Sequence, residues 1–548
     1  MAAPARCTPL DRCARALLAG GALAAALLAL ASSPLAAQTG ATPFLHADGF
    51  EGGATASWSS VQPMAWPLET CARPFTDVDS SGATVVGSGT PASCTEAALN
   101  AALASNNGMI RFSCGAAPHT IVVTSEKLLV PTANLVLDGG GTVALSGGGT
   151  TRILGWRPPF GTNPRPVLTV QNLTFVDGYT GNLPGNTTAS GGAAIFRGSG
   201  ADLRVIDSVF TRNVCPIEGQ DVAGGAIYSV LTGSTTVVGS LFFKNRCSSG
   251  GGLGNLHNHL TVVNSRITQN SATGHGGNPG LGGNGGGIYL DGNDQTVSLC
   301  GVTLSENDAG ARGAGLFRVS NNGVGPMTID RTTVAGNSSP PGPDSQAGGL
   351  YLQGLQLTIT NSTISRNVAS SVGGMFVATN PGTQTLSMTN VTVAENHGRT
   401  GLGSGMTVAS GITGALSHLT VARNSTEGAT SFASAIAFGS GLSLTNSVIA
   451  DNLKVFTWED VSCNVTHSGA GGFQWPQRNA GNELETPCAS VTFLDPALGR
   501  LRNEGGPTST ILPSAAAVRR SVSVGCPATD QRGRPRPVPC TPGAVEME

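Results

Sequence analysis

The chain has 548 residues, with 30 Lys and Arg against 32 Asp and Glu, so its formal charge of −2 excludes a basic field for nucleic acid and an acidic block for a cation-rich partner. Glycine is over-used at 78 residues, while aromatics make up 5 % and charged residues 11 %. Such a mixture suits many short strands joined by tight turns and gives long helices little support, which argues against a set of mixed α/β modules.

The first segment reads as an export signal, residues 1–37. Arg6, Arg12 and Arg15 form a positive start, Ala16 to Ala31 is an apolar run short for a bilayer, and Ser33 to Ala37 offers small residues for cleavage after Ala37. Cys7 and Cys13 leave with it, and the ten remaining cysteines are even in number, as a disulfide framework requires. By spacing, Cys94 suits Cys114, Cys215 suits Cys247, Cys463 suits Cys488 and Cys526 suits Cys540, which leaves Cys71 and Cys300 without an obvious mate. No C-x-x-C pair is present, so no zinc or other metal site is expected, and no cofactor motif is found. Residues 38–90, including Phe44 to Trp58 and Gln62 to Pro74, read as a flexible lead-in.

Residues 91–125 read as a cap. Ser93-Cys94-Thr95-Glu96 has the form of a capping box ahead of a short helix, Ala97 to Leu103, followed by a strand at Met109 to Phe112. First rungs are expected at Thr120 to Val123, Leu128 to Val130 and Leu135 to Leu137.

A repeat then dominates residues 126–500. Asp207-Ser-Val-Phe-Thr-Arg-Asn213 recurs as Gly239 to Asn245, Asn264 to Asn270, Asn361 to Asn367, Asn390 to Asn396, His418 to Asn424 and Asn446 to Asn452, with weaker copies ending at Asn307 and Asn337. A second signature, a glycine pair before an apolar strand, includes Gly224-Gly225-Ala-Ile-Tyr228, Gly286-Gly287-Ile-Tyr289, Gly348-Gly349-Leu-Tyr351 and Gly373-Gly374-Met-Phe376. About thirty residues with two or three strands and fixed turns make one coil of a solenoid, whose inward Val, Ile, Leu and Phe stack on their equivalents one coil on. The fold class is therefore all-β, a right-handed parallel β-helix with a short N-terminal capping helix. A terminal Asn tolerates the left-handed region and hydrogen-bonds nearby backbone. Asn213, Asn245, Asn270, Asn307, Asn337, Asn367, Asn396, Asn424 and Asn452 are accordingly expected to stack as a structural ladder.

These alternating motifs resemble those of pectin-lyase-like β-helix proteins, including chlamydial polymorphic outer-membrane proteins. The whole layout resembles bacterial choice-of-anchor Q domain proteins. That likeness rests on Cys94 to Gly115 and on the ending, residues 501–548, with Asn503-Glu-Gly-Gly-Pro-Thr508, Thr529-Asp-Gln-Arg-Gly533 and Gly543-Ala-Val-Glu546. Ala515 to Arg519 and Cys540 to Gly543 depart from the family's usual stretches. The resemblance implies export with variable anchoring and carries no established catalytic residues. No hydrophobic tail follows, so a released, surface or periplasmic protein of a Gram-negative bacterium is expected, with glycans or cell-surface components as partners.

Chemistry on the scaffold has few candidates. Hydrolases need two or three carboxylates around one glycosidic oxygen, whereas Asp177, Asp202, Asp207, Asp291, Asp294, Asp308 and Asp330 are scattered singly. His257-Asn-His259 would place two imidazoles on one strand face, but an exposed polar pair is the plainer reading. Asp77-Val-Asp79-Ser-Ser81-Gly82 imitates a calcium loop that Ser88 fails to close, and reads as a turn. Gly274 to Gly287 lacks the Lys of a phosphate loop and reads as a long turn. The expectation is a non-catalytic binding or structural scaffold, with a polysaccharide lyase or glycoside hydrolase as the alternative.

Overall fold

The computed structural model describes residues 70–548, apart from 106–107, 132, 199, 381, 429–430, 455–460 and 480. The export signal and most of the lead-in lie outside the described residues. From Lys127 to Phe493 the chain winds as a right-handed parallel β-solenoid of about 13 turns. One face is an 11-stranded parallel sheet that runs coil by coil from Lys127–Leu129 to Ile436–Phe438. Opposite it, each coil contributes two consecutive arms of a second sheet, such as His259–Val263 and Arg266–Thr268, which pair in register with Val297–Cys300 and Thr303–Ser305 one coil on. Short two-residue strands such as Ser271–Ala272 and Asp308–Ala309 close the third side.

Period-two alternation decides what lies inside. On the 11-stranded sheet, Ile227, Leu253, Ile288, Leu316 and Leu350 share a register position and point into the main core. Phe175, Phe210 and Phe242 stack along the axis at 4.9 and 4.7 Å. No single coil could bury these rings, so burial is a property of the stack.

The nine repeat Asn side chains point inward and are buried. Asn213 Oδ1 accepts from Gly178 N, and from Asn245 on each Oδ1 accepts the main-chain N–H and the Nδ2 of the Asn one coil earlier, as Asn245 does from Asn213 at 3.0 and 2.9 Å. The chain of bonds runs on to Asn452 through Asn270, Asn307, Asn337, Asn367, Asn396 and Asn424. The left-handed backbone expected at these Asn residues falls instead on the residue before each: Gly336 has φ 67°, and Arg212, Lys244, Gln269, Glu306, Arg366, Glu395, Arg423 and Asp451 have φ between 55° and 58°. That conformation turns the chain by one residue, so the long polar side chain that most coils carry there points to water while the Asn behind it points in. A second left-handed column lies at the bend between the two arms, at Asp207, Asn264, Asn361, Asn390, His418 and Asn446.

Both ends of the described part of the chain are strapped along that second column. Asn264 takes the N–H of Cys71 on Oδ1 at 3.1 Å and donates Nδ2 to its carbonyl at 2.8 Å. Gln171 grips Val78 in the same way, and Arg73 pairs with Asp207 at 2.6 Å. Thr84–Val86 then adds a strand to Met109–Phe112. Residues 70–90 are thus bound to the solenoid side rather than forming a loose lead-in, because the column and its neighbours offer amide and carboxylate groups at Gln171, Asp207 and Asn264. Asp79 accepts from Ser81 N in a local turn, and Asp77 accepts from Asn172. At the other end, Asn390 donates to Thr529 O, Asn446 donates to Val524 O, and Ile511 packs against the outer face with Leu501.

The capping helix spans Glu96–Ala104, and its N-cap is Thr95, whose hydroxyl accepts from Ala98 N. Ser93 closes a preceding 3₁₀ turn instead of capping the helix, and Glu96, freed from a capping box, pairs with Lys127 at 2.5 Å. Five disulfides join Cys94–Cys114, Cys215–Cys247, Cys463–Cys488, Cys526–Cys540 and Cys71–Cys300. They fit an exported protein in an oxidising compartment. Among the described residues, no helix is long and apolar enough to cross a membrane.

Candidate functional site

The outward positions of the 11-stranded sheet form a surface of their own. Ile288 and Leu290 point inward, so Tyr289 and Asp291 on the same strand must point outward. Tyr289, Phe317, Tyr351 and Phe376 share one register position on successive coils. Their rings follow one another at 5.6, 5.1 and 5.5 Å, the first three nearly parallel. Two coils earlier Tyr228 stands in the same row, and Gly254 occupies the coil between; a Cβ there would sit 2.9 Å from the Tyr228 ring. Tyr228, Tyr289, Phe317 and Tyr351, with Val230, Leu256 and Val319, make a hydrophobic cluster separate from the main core.

Turns fold over this row and leave a cleft of about 530 Å³, lined among others by Asp221, His257, Asn278, Asp291, Arg312, Asn321, Tyr351 and Gln353. Asp291 sits at its base and is buried. It accepts from Asn278 Nδ2 at 2.7 Å, Tyr289 OH at 3.0 Å and Asn321 Nδ2 at 2.9 Å. Burial, reinforced by the charge of Asp291, pushes the Tyr289 phenol well above its ordinary pKa, so it remains a donor. One carboxylate therefore ties a strand to two covering turns.

Asp221 differs. It is half-buried, and its main-chain carbonyl accepts from Tyr228 OH at 3.0 Å. Desolvation, then the charge of Asp291, raises its pKa against an opposing pull from His257. His257 is in the left-handed region (φ 54°) between two strands, and its Nδ1 accepts from Asn293 N at 3.0 Å. The guanidinium of Arg312 lies 5.9 Å from the Tyr351 ring centroid.

The other residues singled out by sequence pattern disperse. His257 and His259 do not share a strand face: the first is in a turn, and the second accepts from Thr296 N at 3.1 Å. Gly274 to Gly287 is a turn closed by an antiparallel Gly277–Gly282 bridge, and its Asn278 reaches the cleft. Asp294 accepts from Asn322, while Asp177 pairs with Arg212, Asp202 with Ser234, Asp308 with Ser338 and Asp330 with Thr360 and Asn361. Only Asp291 of that set enters the cleft. Asp221 and Arg312 carried no motif, since both come from turns whose lengths vary between coils. The aromatic row did leave a signal, because Tyr228, Tyr289, Tyr351 and Phe376 all close a glycine-pair motif. A metal is not suited to Cys71, Cys300 and Asp330, although their ligand atoms lie within 4.8 Å of one another, because the two sulfurs are bonded together.

No protein-family model and no curated protein matches the chain. Among solved structures, it is similar to the periplasmic alginate epimerase AlgG, with 9 % identity, a TM-score of 0.32 and 67 % of this chain against 78 % of that one. It is also similar to PfbA, a surface adhesin of Streptococcus pneumoniae, with 11 % identity, a TM-score of 0.32 and 71 % of this chain against 91 % of that one. Likeness of this degree is a likeness of solenoids, and the functional argument rests on the cleft itself.

Proposed function

We propose that this exported β-helix is a non-catalytic binding protein that holds an extended glycan in the cleft on the outward face of its 11-stranded sheet. The observation that carries the reading is the half-exposed Tyr351 ring in a row of stacked aromatics, rimmed by the amides of Asn278, Asn321 and Gln353. The exposed edge of such a row gives the C–H groups of a sugar apolar contact, and the amides and the Asp221 carboxylate beside it take hydroxyls. Surface, extracellular or periplasmic placement follows from the same export argument as the disulfides.

Asp291 argues for binding over cleavage. Three donors already occupy it, so it serves as an anchor, and hydrolysis by a carboxylate pair would need it free. The second reading, a carbohydrate-active enzyme, draws on one observation: Asp221 has a raised pKa beside His257, as a general acid requires.

A polysaccharide panel scored for both binding and cleavage, using the chain from Gln38 onward, separates the two. Saturable binding that weakens about tenfold in Tyr351→Ala, with no product released, is the expected result. Product release that disappears in Asp221→Asn would establish the enzyme instead.

A further inference from the structure

On the outward side of the second arm, one register position carries Thr303, Thr333, Thr363, Thr392 and Thr420 on successive coils. Three of these hydroxyls hold the C-terminal segment. Thr363 donates to Ser509 O at 2.5 Å, Thr392 donates to Gln531 Oε1 at 2.7 Å, and Thr420 accepts from Ala544 N at 2.9 Å. Thr303 and Thr333 repeat the geometry, are half-exposed, and make no side-chain hydrogen bond among the described residues. They form the floor of a cleft of about 760 Å³, with Thr70 and Arg331 on one side and Gly505 to Pro507 and Gln531 on the other.

The left-handed column beside this row works on the same principle. Asn264 grips both main-chain groups of Cys71, and Asn390 and Asn446 each donate to a main-chain carbonyl of the C-terminal segment. Polypeptide held largely through its main chain therefore lies on the columns on both sides of the cleft, and the floor between continues the established contact surface with none of the described residues laid across it.

We propose that this cleft docks an extended polypeptide segment of a partner protein, laid across Thr303 and Thr333 and bound mainly through its main chain. The charges bordering the cleft cancel locally, Asp330 with Arg331 at 2.7 Å and Asp530 with Arg532 at 2.8 Å. It therefore suits an uncharged segment rich in Ser, Thr and Gly. The proposal is independent of the glycan reading, since the two clefts lie on different sheets.

The probe is a synthetic peptide copying residues 505–512, the stretch that passes over Thr363, offered to the chain from Gln38 onward. Saturable binding by fluorescence anisotropy is expected, with photo-crosslinks to the wild-type protein mapping to Thr303, Thr333 or Gln531. An N-methylated copy of the peptide should lose binding. The double variant Thr303→Val/Thr333→Val, which keeps side-chain shape, should weaken it at least about fivefold at an unchanged unfolding midpoint. No saturation at millimolar peptide, crosslinks confined to other surfaces, or equal binding by the N-methylated copy would each overturn the proposal.

Discussion

Asn337 donates Nδ2 to Asn367 Oδ1 at 2.9 Å, and its own Oδ1 accepts both the main-chain N–H and the Nδ2 of Asn307. Its Nδ2 also donates to Leu304 O at 3.0 Å. One buried side chain thus satisfies polar groups in two other coils, which no apolar residue of similar volume can do. Asn337→Ala strands the Asn307 N–H and the Leu304 carbonyl away from water, at a cost of about 2–4 kcal/mol. Urea unfolding of the variant should show a lower midpoint. Asn452, which ends the ladder, accepts from Asn424 and donates to Val421 O, so Asn452→Ala should cost less than Asn337→Ala.

Asp291 is expected to organise the glycan cleft rather than act in it. In Asp291→Asn, one acceptor oxygen becomes a donor and faces Tyr289, Asn278 or Asn321, all of which already donate. The covering turn at 274–284 should then exchange its amide hydrogens faster, at a local cost of about 1–3 kcal/mol. Asp221→Asn should leave that turn protected, because the Asp221 carboxylate is not among the groups that hold it. Hydrogen exchange by mass spectrometry compares the two.

His418 gives the C-terminal segment a pH dependence. Burial, and secondly the Arg536 guanidinium, lower its pKa to about 3 from 6.5, while Cys540 Sγ lies 3.4 Å from its Nε2. The folded protein therefore keeps the ring neutral, whereas the unfolded chain protonates it below about 6.5. Its contribution is fully present above that pH and is lost as pH falls from there through about 3. His418→Gln should remove up to about one proton from the pH slope of stability across that window. Unfolding free energies of both proteins at matched pH values check this; parallel slopes would refute it.

The repeat was legible because each of its positions has a single physical duty. Inward Ile227 and Ile288, the Asn ladder and the paired glycines recur with the same local pattern in each coil although the interval varies, so pattern alone placed them. What escaped were relationships between coils with no fixed interval. Asp221 and Arg312 come from turns of unequal length, and Asp221 meets Tyr228 only through a turn. Cys71 and Cys300 are 229 residues apart, and nothing in spacing joins a strap to a distant coil. The left-handed residue was misplaced by one position, since Arg212 or Glu395 in that conformation contradicts ordinary propensity and is imposed by the coil.

That long-range disulfide should do more than the local ones. Cys94–Cys114 closes 20 residues, for which loop entropy gives about 3 kcal/mol, while the 229-residue separation of Cys71–Cys300 implies about 5 kcal/mol. Cys71→Ala/Cys300→Ala should lower the unfolding midpoint more than Cys94→Ala/Cys114→Ala. Amides from Cys71 to Val78 should also lose protection selectively. An unchanged exchange pattern there would mean that the Asn264 and Gln171 grips hold the strap alone.

Arg318 tests how the solenoid tolerates an inward charge. It shares its strand face with Leu316, which places the guanidinium inside. It donates to the main-chain carbonyls of Gln295, Gly325 and Gln353 at 2.6–3.1 Å, and no carboxylate pairs with it among the described residues. Burial lowers its pKa to about 10, still high enough to keep it charged at neutral pH. Three carbonyls from separate turns thus converge on one cation, which fixes how those turns enter the coil. Arg318→Met keeps the stem but strands these acceptors, so a loss of about 2–4 kcal/mol is expected. Arg318→Lys, with one compact ammonium in place of a planar fork, should recover only part of it. Equal stability of the Met variant would show that water replaces the guanidinium and that the cage is incidental.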